Sequence, residues 1–326
     1  MSGDPADPKS EPSVADLGEF GLIARVTRGR VQPASTLLGP GDDAALVAAG
    51  DRRVAVSTDL LVEGVHFRLD WSTPEQVGRK AAAVNLADVA AMGAVPTALL
   101  VGLGCPGGTP AAVADGLAAG LWAVAGAHGA GVVGGDVVSA PSIVVAVTVL
   151  GDLQGRAPVT RSGARPGDVL ALAGRLGLAA AGLAALSSGV EAPGEVLQGH
   201  RVPSPPYAAG PAASDAGATA MIDVSDGLLA DLGHIARASG VAIDVRSAAL
   251  PRPPALLRFA EAMRQDPLRW LLTGGEDHAL VATFPPGAPL PCGWIPIGSV
   301  RDGAAVTVDG QPHGGPPGWD HFTGRK

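Results

Sequence analysis

Lysine is almost missing from this sequence: Lys9, Lys80 and Lys326 are the only three among 326 residues. None follows a glycine, so the phosphate-cradling pattern G-x-x-x-x-G-K-[ST] cannot occur. Cysteine is nearly as scarce. Cys105 and Cys292 are too few and too far apart for a disulfide framework or a structural zinc site, which points to a reducing cytoplasm. No uninterrupted apolar run reaches the ~18 residues of a membrane span. Positive charge is outweighed, with 23 Lys and Arg against 31 Asp and Glu and a net charge of −8. That balance argues against a nucleic-acid surface. Aromatic residues make up only 3%.

What is abundant is glycine, 47 residues, in a chain that is 47% hydrophobic and 17% charged. The combination describes a globular protein with many tight turns and close backbone approaches, as suits the handling of small ligands. The length fits one large domain or two ordinary ones. The first 16 residues, "MSGDPADPKSEPSVAD", carry four acids and one lysine and read as a disordered leader without signal-peptide character.

Strand-like and helical segments alternate. "RRVAVSTDLLV" (52–62) is a strand, and Thr73-Pro74-Glu75 opens a helix running to about Met92. "PTALLVGLG" is a strand, Thr109-Pro110 repeats the start signal for a helix to about Ala127, and "SIVVAVTVLGDL" (142–153) is a strand. After the turn-rich "TRSGARPGD" (160–168) come a buried strand "VLALAG", a helix "GLAAAGLAAL" and a loose stretch at 203–217. "TAMIDVSDGLLADLGHIARASG" then reads as strand, turn and a helix capped by Ser225; strands "VAIDV" and "GGEDHALVATF" follow. The pattern is that of two α/β domains joined near 153–160, with no short-period repeat.

Carboxylates stand where a core does not want them. "GPGDDAALV" pairs Asp42 with Asp43 between a glycine turn and an apolar run. "STD" ends a strand with Ser57, Thr58 and Asp59. Asp88 lies inside the nearly apolar helix "AAAVNLADVAAMGA", Asp136 follows two glycines in "VVGGDVVS", and "MIDVSDG" sets Asp223 and Asp226 around Ser225. Singly, each fits a cap, a turn or a satisfied buried group. Together they need counter-charge that three lysines do not provide. Clustered hard oxygen ligands suit magnesium, which uses a few carboxylates with waters and substrate phosphates. "GLGCPG" (102–107) matches G-x-G-x-x-G, but the helix start falls after it and no acid lies about 20 residues on, so it is a weak dinucleotide signal.

In order along residues 18–322, "GEFGLIARV", "GDDAALV", "STDLLVEGVHF", "KAAAVNLADVAAMGA", "GGD", "TRSGARPGD", "IDVSDGL", "GGEDHAL" and "GWDHF" resemble the thiamine-monophosphate kinase family, within the aminoimidazole-ribonucleotide-synthetase-like ATP-binding superfamily. The resemblance implies a two-domain α/β (α+β) fold, each domain a mixed sheet with packed helices. The implied division is a leader at 1–16, an N-terminal ATP- and magnesium-binding dimerisation domain at 17–155, and a C-terminal α/β domain at 156–326. It implies transfer of the ATP γ-phosphoryl group to thiamine monophosphate. Carried over by motif, Asp43, Ser57, Thr58, Asp59, Asp88, Asp136, Asp223 and Asp226 hold several magnesium ions. Gly135, Asp136, Arg161 and Ser225 contact ATP, and His66, Glu276 and Trp319 contact the thiamine phosphate. Asp43, Asp59, Asp88, Asp136, Asp223 and Arg161 form the catalytic set, with Arg161 and the metal neutralising phosphate charge in place of a Walker lysine. Asp42 is a turn or supporting residue beside Asp43. A homodimer through the N-terminal sheets is likewise implied.

The sequence departs from the family's usual "GGEDYEL" by having His278 and Ala279. Two other readings stand beside this one: a different ATP-dependent enzyme of the superfamily, or a non-catalytic binder of thiamine phosphate or nucleotide. Selenophosphate synthetases normally carry a reactive Cys or Sec near the N-terminus, and this chain has none there.

Overall fold

The computed structural model describes residues 11–40 and 44–319. The first helix, α1 (Val14–Thr27), begins inside the segment read as leader. Its start is a reciprocal cap: Asp16 N–H donates to Ser13 Oγ at 3.2 Å, and Ser13 N–H donates to Asp16 Oδ2 at 2.9 Å. The short strands β1 (Thr36–Leu38) and β2 (Leu46–Val47) pair antiparallel. Then follow β3 (Ala55–Val62), α2 (Pro74–Ala91), β4 (Val95–Cys105), α3 (Ala111–Ala127), β5 (Gly131–Ser139) and β6 (Val144–Asp152). The sheet runs β3-β6-β4-β5, with β4 and β5 parallel.

Of the two start signals read from Thr-Pro pairs, only one caps. At α2, Gln76 N–H donates to Thr73 Oγ1 and Thr73 N–H to the Gln76 side chain. At α3 no side chain caps the helix; the Thr109 carbonyl accepts the Val14 N–H at 2.8 Å instead. Helices α2 and α3 meet backbone to backbone. A Cβ on Gly78 would lie 2.0 Å from the Leu117 carbonyl oxygen, and one on Gly120 would lie 2.1 Å from that of Glu75.

The rest of the chain holds β7 (Val169–Ala173), α4 (Leu178–Ser188), α5 (Gly194–Arg201), α6 (Ala209–Asp215), β8 (Ala220–Asp223), α7 (Leu228–Ser239), β9 (Ala242–Val245), α8 (Pro254–Met263), α9 (Pro267–Thr273), β10 (Leu280–Phe284), β11 (Trp294–Arg301), β12 (Val306–Val308) and β13 (Gln311–Pro312). Its mixed sheet is ordered β13-β12-β9-β11-β7-β10-β8. Strand alternation feeds two cores. Leu170, Leu172, Ile222 and Val281 pack with apolar residues of α4, α7, α8 and α9, while Ala171, Ala173, Met221, Leu280 and Ala282 pack with Ala90, Ala213 and Trp294. Both faces are covered, which explains why "VLALA" reads as a continuous apolar run.

Helix α7 is not capped by Ser225. It starts after Gly227, and the N–H groups of Asp226 and Gly227 donate to Asp231 Oδ2 at 3.0 and 3.1 Å. By compactness the chain forms two units: residues up to Ala48 with Thr58–Ala82 and Ala98–Thr148, and Ala49–Ser57 with Ala83–Thr97 and Val149–Lys326.

The glycine contact between α2 and α3 yields a stability test. Gly78→Val is expected to destabilise the protein by at least ~1–3 kcal/mol, because the facing atom is a backbone oxygen that cannot yield. Thermal melting of the two proteins measures this; an unchanged Tm would contradict the close approach.

Candidate functional site

In the first unit, β3 sets its hydroxyls and acid on opposite faces, because successive strand residues alternate. Thr58 shares a face with Thr148, their hydroxyls 3.1 Å apart, and donates to the Val147 carbonyl at 3.0 Å. Asp59 stands on the other face, half-buried. Beyond β3 the chain turns back sharply, with His66 N–H donating to the Val62 carbonyl at 2.9 Å. Val62 N–H donates to His66 Nδ1 at 3.0 Å. That bond makes Nδ1 an acceptor and leaves the ring proton of a neutral His66 on Nε2. The buried Lys80 donates to the His66 carbonyl at 2.9 Å.

Gly135 and Asp136 lie on β5 in register with Val101 and Gly102. A Cβ on Gly135 would sit 1.9 Å from the Val101 carbonyl oxygen, so this position requires glycine for the strand pairing itself. Asp136 is exposed, not buried, and its Oδ1 accepts from Val137 N–H at 2.9 Å. Asp42 and Asp43 lie outside the described residues.

The second unit gathers more of the expected set. Every residue of α2 from Lys80 to Ala91 is buried except Asp88, which is half-buried. Its Oδ2 accepts from Ser57 Oγ at 2.6 Å. Two turns carry most of the remaining residues: 224–227 after β8 and 274–279 before β10. They are joined by backbone bonds, Glu276 N–H to Ser225 O at 2.7 Å, His278 N–H to Val224 O at 2.9 Å and Val224 N–H to Ala279 O at 2.7 Å. Glu276 and His278 both adopt left-handed backbone, with φ of 66° and 51°. Such conformations cost of order 1–3 kcal/mol each and persist where surroundings over-determine them.

His278, at the departure from the family pattern, places Nδ1 3.0 Å from Asp223 Oδ2, both buried. Burial opposes a charge on this imidazole, but the Asp223 bond and the charges of Asp223, Glu276 and Asp88 outweigh it, so its pKa is raised. Glu276 Oε2 lies 3.3 Å from Nδ1 of the buried His200 on α5. At the C-terminal end, Trp319 N–H donates to the Asp226 carbonyl at 2.9 Å while about half of the residue stays exposed. Arg161 is exposed. Its carbonyl accepts from Ser239 Oγ at 2.8 Å, and its charge, after burial, helps lower the pKa of His234 on α7.

Two buried acids belong to this region without having stood out in the sequence. Asp231 is pushed up to about 7, first by burial and then by the charges of Asp223 and Asp226. An acid on the apolar face of "LLADLGHI" was the available signal. Asp277 accepts from Gly177 N–H at 2.5 Å and Ala179 N–H at 2.8 Å, capping α4, and burial raises it to about 7 as well. Its partners lie about a hundred residues away, beyond any local pattern. Among the described residues, no three or more His, Cys, Asp or Glu side chains form a ready-made metal cage.

This chain matches the models for AIR synthase related protein, N-terminal domain, over residues 41–153 and C-terminal domain over 165–286. It is 58% identical to a thiamine-monophosphate kinase of Mycobacterium tuberculosis over 95% of this chain and 93% of that one. It is 43% identical to the thiamine-monophosphate kinase of Corynebacterium glutamicum over 95% of each chain. Among solved structures, AaThiL complexed with AMPPCP and TMP aligns with a TM-score of 0.79 at 33% identity, covering 94% of this chain and 97% of that one. Thiamine monophosphate kinase from Aquifex aeolicus aligns at 0.76 and 31% identity, covering 93% and 99%. Hydrogenase maturation protein HypE, at 20% identity and a TM-score of 0.71 over 88% and 94%, shares the fold alone. With these sequence matches spanning nearly its whole length, the chain belongs to the thiamine-monophosphate kinase family.

Proposed function

We infer that this chain is an ATP-dependent phosphotransferase that converts thiamine monophosphate to thiamine diphosphate. Whole-length identity to thiamine-monophosphate kinases carries the choice of substrate. The acidic turns at 223–231 fit the chemistry. Asp223, Asp226 and Asp231 repel one another strongly enough to raise Asp231, and such an excess of carboxylate suits a hard divalent cation that keeps water and phosphate as its other ligands. In the second unit Ser57, Asp88, Asp223 and Asp226 are the residues we assign to magnesium, and in the first Thr58, Asp59 and Asp136; the family motif adds Asp43. When bound, the metal supplies positive charge against the phosphates. Gly135, Asp136, Arg161 and Ser225 are assigned to ATP, and His66, Glu276 and Trp319 to the thiamine phosphate. The domain division at about residue 155, and a cytoplasmic location, belong to the same proposal.

An oxygen of the thiamine phosphate attacks the γ-phosphorus of ATP, the bond to the β–γ bridging oxygen breaks, and ADP leaves. With a second pKa of about 6, the acceptor phosphate is already ionised near neutrality, so no general base is needed. His66 agrees with this. Its Nδ1 is engaged by Val62 N–H, so the neutral ring offers Nε2–H, a donor for a phosphate oxygen. Glu276 supplies negative charge opposite the cationic thiazolium, and Trp319 a face on which a ring stacks.

We also assign a homodimer. Leu60, Leu100 and Val138 of the first unit are exposed. They share one sheet face, as the register of β4 with β5 and the Thr58–Thr148 contact support. A second copy of that face is the apolar partner it suits.

Three outcomes test the reading. Purified protein should phosphorylate thiamine monophosphate with ATP and magnesium, and Asp88→Asn should cut kcat by more than ~100-fold while melting as a folded protein. Full activity of that variant at ordinary magnesium would remove Asp88 from the metal set. Trp319→Ala should raise KM for thiamine monophosphate roughly tenfold and leave that for ATP nearly unchanged; equal rises would mark the C-terminal segment as a folding element. Finally, labelled ATP with magnesium but no acceptor should leave no label on the protein, as direct transfer requires. Stoichiometric, turnover-competent labelling would establish a phosphoenzyme instead.

A further inference from the structure

Glu276 has a buried imidazole at its side that no motif marks. His200 is 4% exposed, and its Nδ1 lies 3.3 Å from Glu276 Oε2. The ring is held there by a tight helix pair. A Cβ on Gly182 of α4 would meet the Val196 carbonyl oxygen of α5 at 2.5 Å and His200 Cβ at 2.8 Å; one on Gly199 of α5 would meet Leu178 Cβ at 2.6 Å. The two helices are thus in backbone contact, and His200 has no slack along α4. The N-terminus of α4 is in turn bound to the residue after Glu276, because both Asp277 oxygens accept its amide hydrogens. The path closes on itself: Glu276, His200, α5, α4, Asp277 and back to Glu276.

We propose that His200 is the positioning residue for Glu276, holding its carboxylate in the orientation that receives the cationic ring of the substrate. The proposal rests on the assignment of Glu276 to the thiamine end of the site. The Glu276 side chain is 30% exposed and has three rotatable bonds, so an unsupported carboxylate samples several rotamers. A neutral imidazole with its proton on Nδ1 donates to one oxygen without neutralising the carboxylate. The charge and the second oxygen stay available to the ligand. Ordering the carboxylate before binding removes a cost that the substrate otherwise bears, so the effect belongs in substrate affinity and not in the transfer step.

Three variants separate this role from mere packing. His200→Leu keeps apolar bulk on α4 and removes the donor; His200→Asn keeps a nitrogen donor near the place of Nδ1; Glu276→Gln removes the charge. Steady-state kinetics with thiamine monophosphate and ATP varied in turn, alongside melting curves, are the readout. His200→Leu should raise KM for thiamine monophosphate roughly five- to tenfold with little change in kcat or in KM for ATP, the size of one hydrogen bond to a charged group. His200→Asn should recover most of that loss. Adding His200→Leu to Glu276→Gln should raise KM no further, since the group being positioned is already neutral. If Glu276→Gln leaves KM for thiamine monophosphate unchanged, the assignment of Glu276 fails. If Glu276→Gln raises it but His200→Leu does not, or if Asn and Leu lose affinity equally, His200 is not the positioning residue.

Discussion

Three backbone hydrogen bonds join residues 224–225 to residues 276–279, and the second unit's chemistry is arranged around them. They force two non-glycine residues, Glu276 and His278, into left-handed conformation with Asp277 between. A turn of that kind is unfavourable alone; the bonds to Val224 and Ser225 on one side, and the Asp277 cap of α4 on the other, hold it. Its consequence is a fan of three side chains going to three destinations: Glu276 to His200, Asp277 to the α4 amides, His278 to Asp223. The approach also demands glycine. A Cβ on Gly275 would lie 2.7 Å from the Ser225 carbonyl oxygen, and one on Gly227, at φ 128°, 2.9 Å from that of Thr273.

Charge in this unit is concentrated where side-chain cations are few. Asp231 and Asp277 are raised to about the same value, but by different balances. For Asp277 burial is opposed by two helix amides, a structural arrangement complete in itself. For Asp231 burial is compounded by two neighbouring carboxylates, an arrangement completed by a bound cation. The distinction separates an acid that builds the scaffold from acids that await a ligand, although both stand in acid-containing turns of similar sequence.

The departure at His278 gains a physical meaning in this setting. In place of the family's usual Tyr, the imidazole bonds a carboxylate, Asp223, that the motif assigns to metal. The scaffold around it keeps the family's shape, as the alignment with AaThiL indicates. The difference is one of local charge balance, not of fold.

Local residue patterns announced α2, β6, β7, α4 and α7, because each carries its own cap, glycine or apolar period. They also drew attention to Asp59, Asp88, Asp136, Asp223 and Asp226, since acids amid apolar runs stand out in any sequence; which chemistry they serve came from the order of whole motifs. Other features had no local signal. That Thr58 and Asp59 part to opposite faces follows from β3 being a strand with both faces used. That Asp136 is exposed depends on which edge β5 occupies in its sheet. That Asp277 caps a helix some hundred residues upstream, and that His200 meets Glu276, depend on α4 and α5 touching through glycine. Sequence alone determined the elements and the chemical character of the site, because capping, periodicity and residue type act over a few residues. Only tertiary structure decided which acid serves the scaffold and which serves the ligand, because burial and through-space charge depend on neighbours that the chain brings together from far apart.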